Sequence, residues 1–415
     1  MFVEDAIVSD EGFISYFKPL IGDDEERDVL ACLRSGWLTT GKYAKEFESD
    51  FAEFAGFEHT VAVNSCTAAL HLALEALGVS RGDIVIVPTF TFTATAEVVR
   101  YFDAVPVMVD SNEDDFCMDM DALRSTLESI DSGDSVPGLP GGGGAGKVKV
   151  VIPVHYAGAI VDIDALDALK SEYGFKVVED CAHALPAWRT LSDGRRIMAG
   201  TTADIACFSF YANKTITTGE GGMFATDNSE WAERARVMSL HGISKDAWKR
   251  YAKSGSWRYE VVAPGYKYNM PDLAAAVGVN QLKRARAFRD ARTAVAAEYA
   301  ERLAGVPGLR LPETSEGVES SWHIYAVRLD AEVCGVHRDE FIERMRDEGV
   351  GTSVHFIPLH TQPYYRDAFG YREGDFPVAE KVFDEIVSLP ISPALSKSDL
   401  ERIEKAVKRV IPSAR

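Results

Sequence analysis

Cysteines and long apolar runs are both scarce in this 415-residue sequence. Its six cysteines are scattered without a C-x-x-C spacing, which argues against a disulfide scaffold and is typical of a reducing compartment. No uninterrupted apolar run approaches the ~18 residues of a membrane-spanning helix, and the first residues, MFVEDAIVSDEG, lack the basic and apolar segments of a secretory signal. We therefore expect a cytoplasmic protein that does not span a membrane.

An excess of basic residues is also absent. Lysine and arginine total 44 against 64 acidic residues, a formal net charge of −20. We therefore expect neither nucleic acid nor an anionic membrane as a partner, because both require a basic face. An anionic substrate is still allowed, since a local pocket can be positive. Hydrophobic and charged contents of 46% and 26% are ordinary for a soluble globular enzyme.

From Thr60 onward, short apolar segments alternate with helical patterns. The pattern predicts strands at 61–63, 84–87, 105–109, 148–154, 176–178 and 204–210, and helices at 21–35, 68–77, 93–102, 119–129 and 163–173. Such alternation indicates an α/β fold with a mostly parallel sheet covered by helices on both faces. Ligands of these sheets bind beyond the carboxyl ends of the strands, so the polar residues that follow each strand are the candidate site.

The C-terminal part has a different pattern. We predict one long helix at 271–303, strands at 321–329 and 351–356, and helices at 338–348 and 397–410. This divides the chain into a large domain (1–270), a connecting helix (271–307) and a smaller α+β domain (308–415). The glycine-rich stretch 131–147 is predicted to be a surface loop without a function of its own.

Three predicted strand ends carry candidate chemistry. The first is Asn64–Leu70, NSCTAAL, where a strand passes directly into a helix. Free backbone N–H groups at such a helix start can bind an anion, and the hydroxyls of Ser65 and Thr67 add donors. A plain N-cap explains the same residues equally well.

The second strand end carries Asp180, followed by His183. A carboxylate there could pair with a protonated pyridine nitrogen and keep the ring of a cofactor an electron sink, or it could cap the next turn. His183 could lie beside such a ring or orient Asp180, or it could be a structural histidine.

The third strand end leads to Lys214. A lysine at the point where a strand opens into a turn can be partly desolvated, which lowers its pKa and allows it to form a Schiff base with an aldehyde cofactor such as pyridoxal phosphate (PLP). A solvated surface lysine is the alternative. Ser209, five residues earlier, could lend its hydroxyl to the phosphate of the cofactor.

Several ordered segments resemble the DegT/StrS family of PLP-dependent sugar-nucleotide aminotransferases, which has the aspartate-aminotransferase fold. The segments are FSFYANKTITTGEGGM, VVEDCAHAL, NSCTAALHLALEALG, VPTFTFTATAEVV, SGWLTTG, PGYKYNMPDLAAAVGVNQL and TSVHFIPLHTQPYYR. The resemblance runs from about Ile14 to the last helix, and it implies a large PLP-binding domain and a smaller C-terminal domain.

The resemblance also implies roles for individual residues. Lys214 would form the Schiff base with PLP, and Asp180 would pair with the pyridine nitrogen. The remaining cofactor contacts would be Ser65, Cys66, Thr67 and Ser209 at the phosphate, and Phe92 and His183 at the ring. Members work as homodimers in which a neighbour's loop completes the phosphate site, and here that contact falls on Lys267 or Asn269. Trp37 and His355 are candidates for the sugar side of the pocket, and no metal is implied.

The resemblance implies ping-pong transamination from an amino acid, usually L-glutamate, to a keto sugar on a nucleotide. The segment WRYEVVAPGYKYNM resembles the branch that aminates a UDP-linked 4-keto pentose in aminoarabinose synthesis. Two alternatives are a PLP-dependent sugar dehydratase, in which histidine replaces the lysine, and a non-catalytic PLP-binding regulator. Lys214 argues against the former, and the absence of a basic recognition helix argues against the latter.

Overall fold

The computed structural model describes residues 12–139, 147–243 and 259–411. Four stretches lie outside these ranges: residues 1–11, residues 140–146 of the glycine-rich stretch, residues 244–258, which include Trp257 and Arg258 of the WRYE segment, and residues 412–415. None of the helices within them combines the length and apolar content that crossing a bilayer requires.

Helices and strands alternate through the first half of the chain. The helices are α1 (Asp23–Ser35), α2 (Lys42–Ala55), α3 (Cys66–Ala76), α4 (Ala94–Arg100), α5 (Met120–Ser132), α6 (Ile163–Tyr173), α7 (Ser229–Met238), α8 (Asp272–Lys283), α9 (Ala285–Arg302), α10 (Ala331–Cys334), α11 (Arg338–Asp347), α12 (Pro363–Phe369), α13 (Pro377–Glu385) and α14 (Lys397–Val410). The strands are β1 (His59–Val63), β2 (Ile84–Pro88), β3 (Val105–Val109), β4 (Val148–Val151), β5 (Lys176–Asp180), β6 (Trp188–Thr190), β7 (Arg196–Met198), β8 (Ile205–Ser209), β9 (Gly222–Thr226), β10 (Leu309–Arg310), β11 (Val318–Glu319), β12 (Tyr325–Leu329) and β13 (Ile386–Leu389).

The main sheet has the order β1-β9-β8-β5-β4-β2-β3. The pairs β2-β3, β2-β4, β4-β5 and β5-β8 are parallel, and β9 runs antiparallel to both β1 and β8. Strands β2, β8 and β9 are buried along their whole length, because helices cover the sheet on both faces. The predicted α/β architecture is confirmed, and β9 is an antiparallel strand that the sequence pattern did not reveal.

Two hydrophobic cores hold the chain. The larger surrounds the main sheet and extends to Ile324 and Ile386. The smaller packs β12 and β13 against helices α9, α11 and α14, with Val327, Phe341 and Ile403 at its centre. The N-terminal segment joins this smaller core, because Ile14 is buried there and bridges to Val350.

Four predicted elements differ from the structure. The segment 351–356 is not a strand: only Ser353 forms an isolated bridge, with Ser388. The predicted helix 271–303 is two helices that meet at Arg284, whose φ of −100° and ψ of 0° depart from helical geometry. The predicted strand 148–154 stops at Val151, because Pro153 has no N–H to donate. The predicted strand 321–329 begins only at Tyr325, since Trp322 has a φ of +49° that no strand accommodates.

The start of α2 depends on a carboxylate from a distant part of the chain. The α2 N-cap is Gly41, which has no side chain to accept hydrogen bonds. Asp272, at the start of α8, supplies them instead: its Oδ1 accepts from the N–H groups of Gly41 at 2.7 Å and Ala44 at 3.0 Å, and its Oδ2 accepts from Tyr43 at 3.2 Å. This contact fixes the loop between α1 and α2 against the α8 N-terminus.

We expect Asp272→Ala to lower the free energy of unfolding by about 2 kcal/mol, because three backbone donors at a helix start lose a charged acceptor. Urea denaturation at one fixed protein concentration measures the change. Asp290→Ala is the control, since that carboxylate is 69% exposed and its loss should cost less than ~0.5 kcal/mol. Equal stability of the two variants would contradict the capping role.

Candidate active site

A cavity of about 630 Å³ lies at the carboxyl ends of the strands of the main sheet. Its wall combines the start of α3, the segment after β2, the end of β5, the segment after β8 and parts of the C-terminal region. The residues singled out from the sequence that line it are Ser65, Cys66, Thr67, Phe92, Asp180, His183, Ser209, Lys214 and His355. The structure therefore brings together side chains from three distant strand ends.

Lys214 follows β8 in a turn, and the backbone N–H of Lys214 donates to the Tyr211 carbonyl at 3.0 Å. Its Nζ lies 3.4 Å from Nε2 of His323. Burial lowers the pKa of Lys214 from 10.5 to about 8, although the neighbouring Cys66 and Asp180 act in the opposite sense. The amine is therefore largely neutral at mildly alkaline pH, as a nucleophile or a proton carrier requires.

Asp180 ends β5 and is almost fully buried. Its Oδ2 accepts from the Thr95 hydroxyl at 2.9 Å, and its Oδ1 accepts from the Ala182 N–H at 3.1 Å. Burial raises the pKa of Asp180, while these two hydrogen bonds and the charge of Lys214 oppose the increase. The carboxylate thus has a fixed orientation and faces the same cavity as the amine.

A buried hydrogen-bonded cluster beneath Asp180 holds the end of β5. Nε2 of His155 lies 2.6 Å from Oε2 of Glu179. The same carboxylate accepts from the Gly200 N–H at 2.6 Å and from the Thr202 hydroxyl at 3.1 Å. Because the Glu179 oxygens are already engaged by three donors, the cluster fixes the backbone on which Asp180 stands.

The start of α3 meets β9 at very close range. The Ser65 hydroxyl accepts from the Ala68 N–H at 3.0 Å, so Ser65 is the N-cap of α3 as well as part of the cavity wall. A Cβ at Gly222 would lie 2.5 Å from the backbone of Ser65. Glycine is required there because the first residue of β9 passes directly beneath this helix start.

Three aromatic residues of the cavity wall, Phe92, Phe356 and His183, pack together. Phe92 stands at the rim with 58% of its surface exposed, 6.1 Å from the ring of Phe356. The ring of His183 stacks on that of Phe356 with centroids 5.7 Å apart, and its Nδ1 accepts from the Ala157 N–H at 3.2 Å. Burial holds the pKa of His183 well below its usual range. Its ring is therefore neutral and carries its proton on Nε2.

His323 was not predicted from the sequence as a site residue. It lies in the loop before β12, in contact with Lys214, and its ring is 4.5 Å from that of His183. Its Nδ1 and the Oδ1 of Asn213 are both buried without a hydrogen-bond partner among the described residues, and both residues line the cavity. The segment SSWHIYAV offers no local motif that could have identified this histidine, since only the tertiary structure brings it to Lys214.

Three predicted residues do not line the cavity of their own chain. Nδ2 of Asn269 donates to the Thr40 hydroxyl at 2.7 Å, and Nζ of Lys267 donates to Oδ1 of Asn269 at 2.5 Å. Nε1 of Trp37 donates to the Thr40 carbonyl at 3.2 Å. These side chains form one surface group beside the α1–α2 loop. They would contact a bound ligand either in the cavity of a second subunit or through a part of the ligand that extends out of their own cavity.

The residues present fit PLP. The cavity offers an amine of lowered pKa, an oriented carboxylate, hydroxyls around a helix start and two buried polar atoms that lack partners. An amine, a carboxylate and an anion site are the groups that bind the aldehyde, the pyridine nitrogen and the phosphate of this cofactor.

Comparison with known proteins gives the same result. The profile of the DegT/DnrJ/EryC1/StrS aminotransferase family matches residues 19–408. The spore coat polysaccharide biosynthesis protein SpsC of Bacillus subtilis is 41% identical over 403 residues, which cover 97% of this chain and 98% of SpsC.

Solved structures of aminotransferases also match this chain over nearly its whole length. The aminotransferase TlmJ from Streptoalloteichus hindustanus has a TM-score of 0.82 at 34% identity, covering 96% of this chain and 98% of that one. The provisionally assigned sugar aminotransferase Spr1654 from Streptococcus pneumoniae has a TM-score of 0.82 at 31% identity, with coverage of 96% and 98%. Spr1654 has been solved in PLP and pyridoxamine phosphate (PMP) forms.

The family profile spans nearly the whole chain, and relatives above 30% identity cover it almost completely. The predicted PLP cofactor is confirmed at the level of the family, whose members are solved with PLP and PMP. The chain therefore belongs to the DegT/DnrJ/EryC1/StrS family of PLP-dependent sugar aminotransferases.

Proposed function

We propose that this protein transfers the amino group of an amino acid, L-glutamate, to the keto carbon of a nucleotide-linked sugar. The observation that carries the proposal is that Lys214 and Asp180, 34 residues apart in the chain, line one cavity with the start of α3. The KYN segment at Lys267–Asn269 favours a UDP-linked 4-keto pentose as acceptor. The relationship to SpsC supports a role in making an amino sugar for a polysaccharide.

Each group of the site has a different proposed role. When bound, PLP supplies an electron sink for the charge that develops on carbon as a proton leaves it. Asp180 would hold a proton on the pyridine nitrogen, which maintains that sink. Lys214 would hold the cofactor and, once free, carry a proton to and from the reacting carbon, for which a pKa of about 8 is suitable.

Other residues bind and orient. Ser65, Thr67 and Ser209, with the backbone N–H groups around Cys66, would hold the phosphate at the positive end of α3. Phe92 and His183 would pack against the ring. His323 contacts the Lys214 amine and would position it when it is not bound to the cofactor.

A second cavity, of about 830 Å³, adjoins the first and shares with it Thr91, Phe92, Val354 and Phe356. Its wall contains the aromatic residues Tyr101, Tyr364 and Tyr365 as well as Arg100. A sugar placed at Lys214 could extend its nucleotide into this space, since bases stack on aromatic rings. The adjoining cavity therefore supports an acceptor with a large second part.

The enzyme is proposed to act as a homodimer in the cytoplasm. The surface around α1 exposes Leu30, Leu33 and Leu38, each more than 40% exposed, and apolar patches of this kind mark protein interfaces. Lys267 and Asn269 would then reach the phosphate site of the partner. The scattered free cysteines fit a reducing compartment.

The proposal predicts two separable half-reactions. Mixing the holoenzyme with L-glutamate should convert bound PLP to PMP and release 2-oxoglutarate, as followed by absorbance, and a nucleotide-linked keto sugar should then restore PLP. Lys214→Ala should bind the cofactor noncovalently and lose at least about a thousandfold in rate, because no amine remains to carry the proton. Lys405→Ala, on the exposed face of α14, is the matched control. Normal turnover by Lys214→Ala would show that the assignment of this lysine is wrong.

Asp180 is predicted to act through the ring nitrogen. Asp180→Ala should slow the glutamate half-reaction by about a hundredfold or more, because the unprotonated ring is a poorer electron sink. Asp180→Asn keeps the shape and an acceptor for Thr95, so it separates loss of charge from loss of packing. If Asp180→Asn reacted with glutamate at the wild-type rate, the carboxylate would have no role in the chemistry.

The pKa of Lys214 can be measured directly in the apoenzyme. Acetylation of Lys214, followed by mass spectrometry between pH 6 and 11, should rise with a midpoint of about 8, since only the neutral amine reacts. Asp180→Asn should shift this midpoint to lower pH, because the negative charge of Asp180 raises the pKa of Lys214. A wild-type midpoint near 10.5 would contradict the buried environment of the amine.

A further inference from the structure

His355 has one ring nitrogen engaged and the other free. Its Nδ1 lies 2.9 Å from the hydroxyl of Ser388, a fully buried residue of β13. Nε2 has no hydrogen-bond partner among residues 12–139, 147–243 and 259–411, and the ring lines the cavity that contains Lys214. Burial and the charge of Lys214 lower the pKa of His355 to about 4, so the ring is neutral at pH 7 and carries a single proton.

The backbone around His355 is held from two sides. The Tyr156 hydroxyl donates to the His355 carbonyl at 2.6 Å. Two residues earlier, Ser353 exchanges backbone hydrogen bonds with Ser388, at 3.1 Å and 2.8 Å. The imidazole therefore has little freedom to turn away from Ser388.

Tyr16, from the N-terminal segment, completes the group. Its ring packs on that of His355 with centroids 5.5 Å apart and an angle of 31°. Burial raises the pKa of the Tyr16 phenol far above its ordinary value, and the charge of Arg292 acts in the opposite sense. The phenol therefore stays protonated, and its ring packs against the imidazole as a neutral group. The Gly351 N–H donates to the Ile14 carbonyl at 2.8 Å, which anchors this segment two residues away.

The surroundings of Ser388 decide the direction of its hydrogen bond with His355. Within the described ranges, the fully buried Ser388 hydroxyl has one hydrogen-bond partner, Nδ1 of His355. A hydroxyl that accepted from Nδ1 would leave its own proton buried without an acceptor, so Ser388 donates to Nδ1. A neutral imidazole that accepts at Nδ1 carries its proton on Nε2.

We propose that Ser388 is a positioning residue that holds His355 as the Nε2–H tautomer, with Tyr16 packed against the ring, so that His355 donates a hydrogen bond to the keto oxygen of the sugar acceptor. The inference rests on the proposed function. When a C–N bond forms at the keto carbon, the electron pair of the C=O bond moves to the oxygen. A neutral N–H held beside that oxygen stabilises the developing charge.

The tautomer can be read without the cofactor. Selective ¹⁵N labelling of the nine histidines of the apoenzyme, with the His355 signals assigned by their loss in His355→Gln, should show a proton on Nε2. Ser388→Ala should give a mixture of tautomers, because Nδ1 loses its donor. A wild-type ring protonated on Nδ1 would overturn the proposal.

Kinetics supply the second readout. In Ser388→Ala the glutamate half-reaction should stay within about twofold of wild type, while return of the PMP form to PLP by a keto sugar should slow about tenfold to a hundredfold. The probe is a UDP-linked 4-keto pentose or, failing that, a dTDP-linked 4-keto-6-deoxyhexose. His355→Ala, which removes the proposed donor itself, should slow the same half-reaction at least as much, and it also tests the proposal if Ser388→Ala does not fold.

Ser353→Ala is the matched control, since its hydroxyl makes no hydrogen bond within the described ranges although it faces Ser388 across the same bridge. Equal slowing of both half-reactions in Ser388→Ala or His355→Ala would show a merely structural role, and no change in either half-reaction would show no role. Failure of wild-type enzyme to react with glutamate, or with either keto sugar, would instead overturn the proposed function.

Discussion

Burial of the Lys214 amine beside the Asp180 carboxylate is the interaction on which the site depends. Burial in a low-dielectric cavity disfavours the charged form of each group, whereas the opposite charge of its neighbour favours that form. The balance leaves the amine with a pKa of about 8, which no exposed lysine would have. An amine that both bonds to a carbonyl carbon and carries protons needs this intermediate basicity.

The sheet creates this arrangement through its strand order. Because β5 and β8 are adjacent and parallel, Asp180 at the end of one strand lies beside Cys207 of the next, and the chain then leads to Ser209 and Lys214. Strand β9 reverses direction, which places β1 parallel to β8 and brings the start of α3 to the same edge. The close passage of Gly222 beneath Ser65 is the steric condition for that reversal.

The C-terminal region supplies two histidines of the cavity wall that the main sheet does not provide. His323 precedes β12 and His355 lies in the irregular segment before Leu359–Thr361, and both face the cavity. The same segment is tied to the end of β2, because the Leu359 N–H donates to the Thr89 carbonyl at 2.8 Å and the Thr89 hydroxyl lies 2.7 Å from Nδ1 of His360. A loop held in this way can present a histidine with a defined orientation although it has no regular secondary structure. The cavity wall thus combines strand ends of the main sheet with loops of the C-terminal part of the chain.

The alternation of apolar strands and helices was sufficient to predict the α/β fold, because a parallel sheet must bury both faces and its strands are therefore apolar throughout. The strand-end positions of Asp180 and Lys214 were likewise readable, since carboxyl ends of parallel strands share one edge of a sheet. The strand expected at 351–356 was wrong because local propensity does not report that this segment lines a cavity instead of pairing. His323, Ser388 and Tyr16 could not be assigned from sequence, since their chemistry arises only from neighbours that are distant in the chain. The sequence by itself determined the α/β fold and predicted that Asp180 and Lys214 meet at one edge of its sheet. The tertiary structure decided which polar groups surround them, because those groups come from distant parts of the chain.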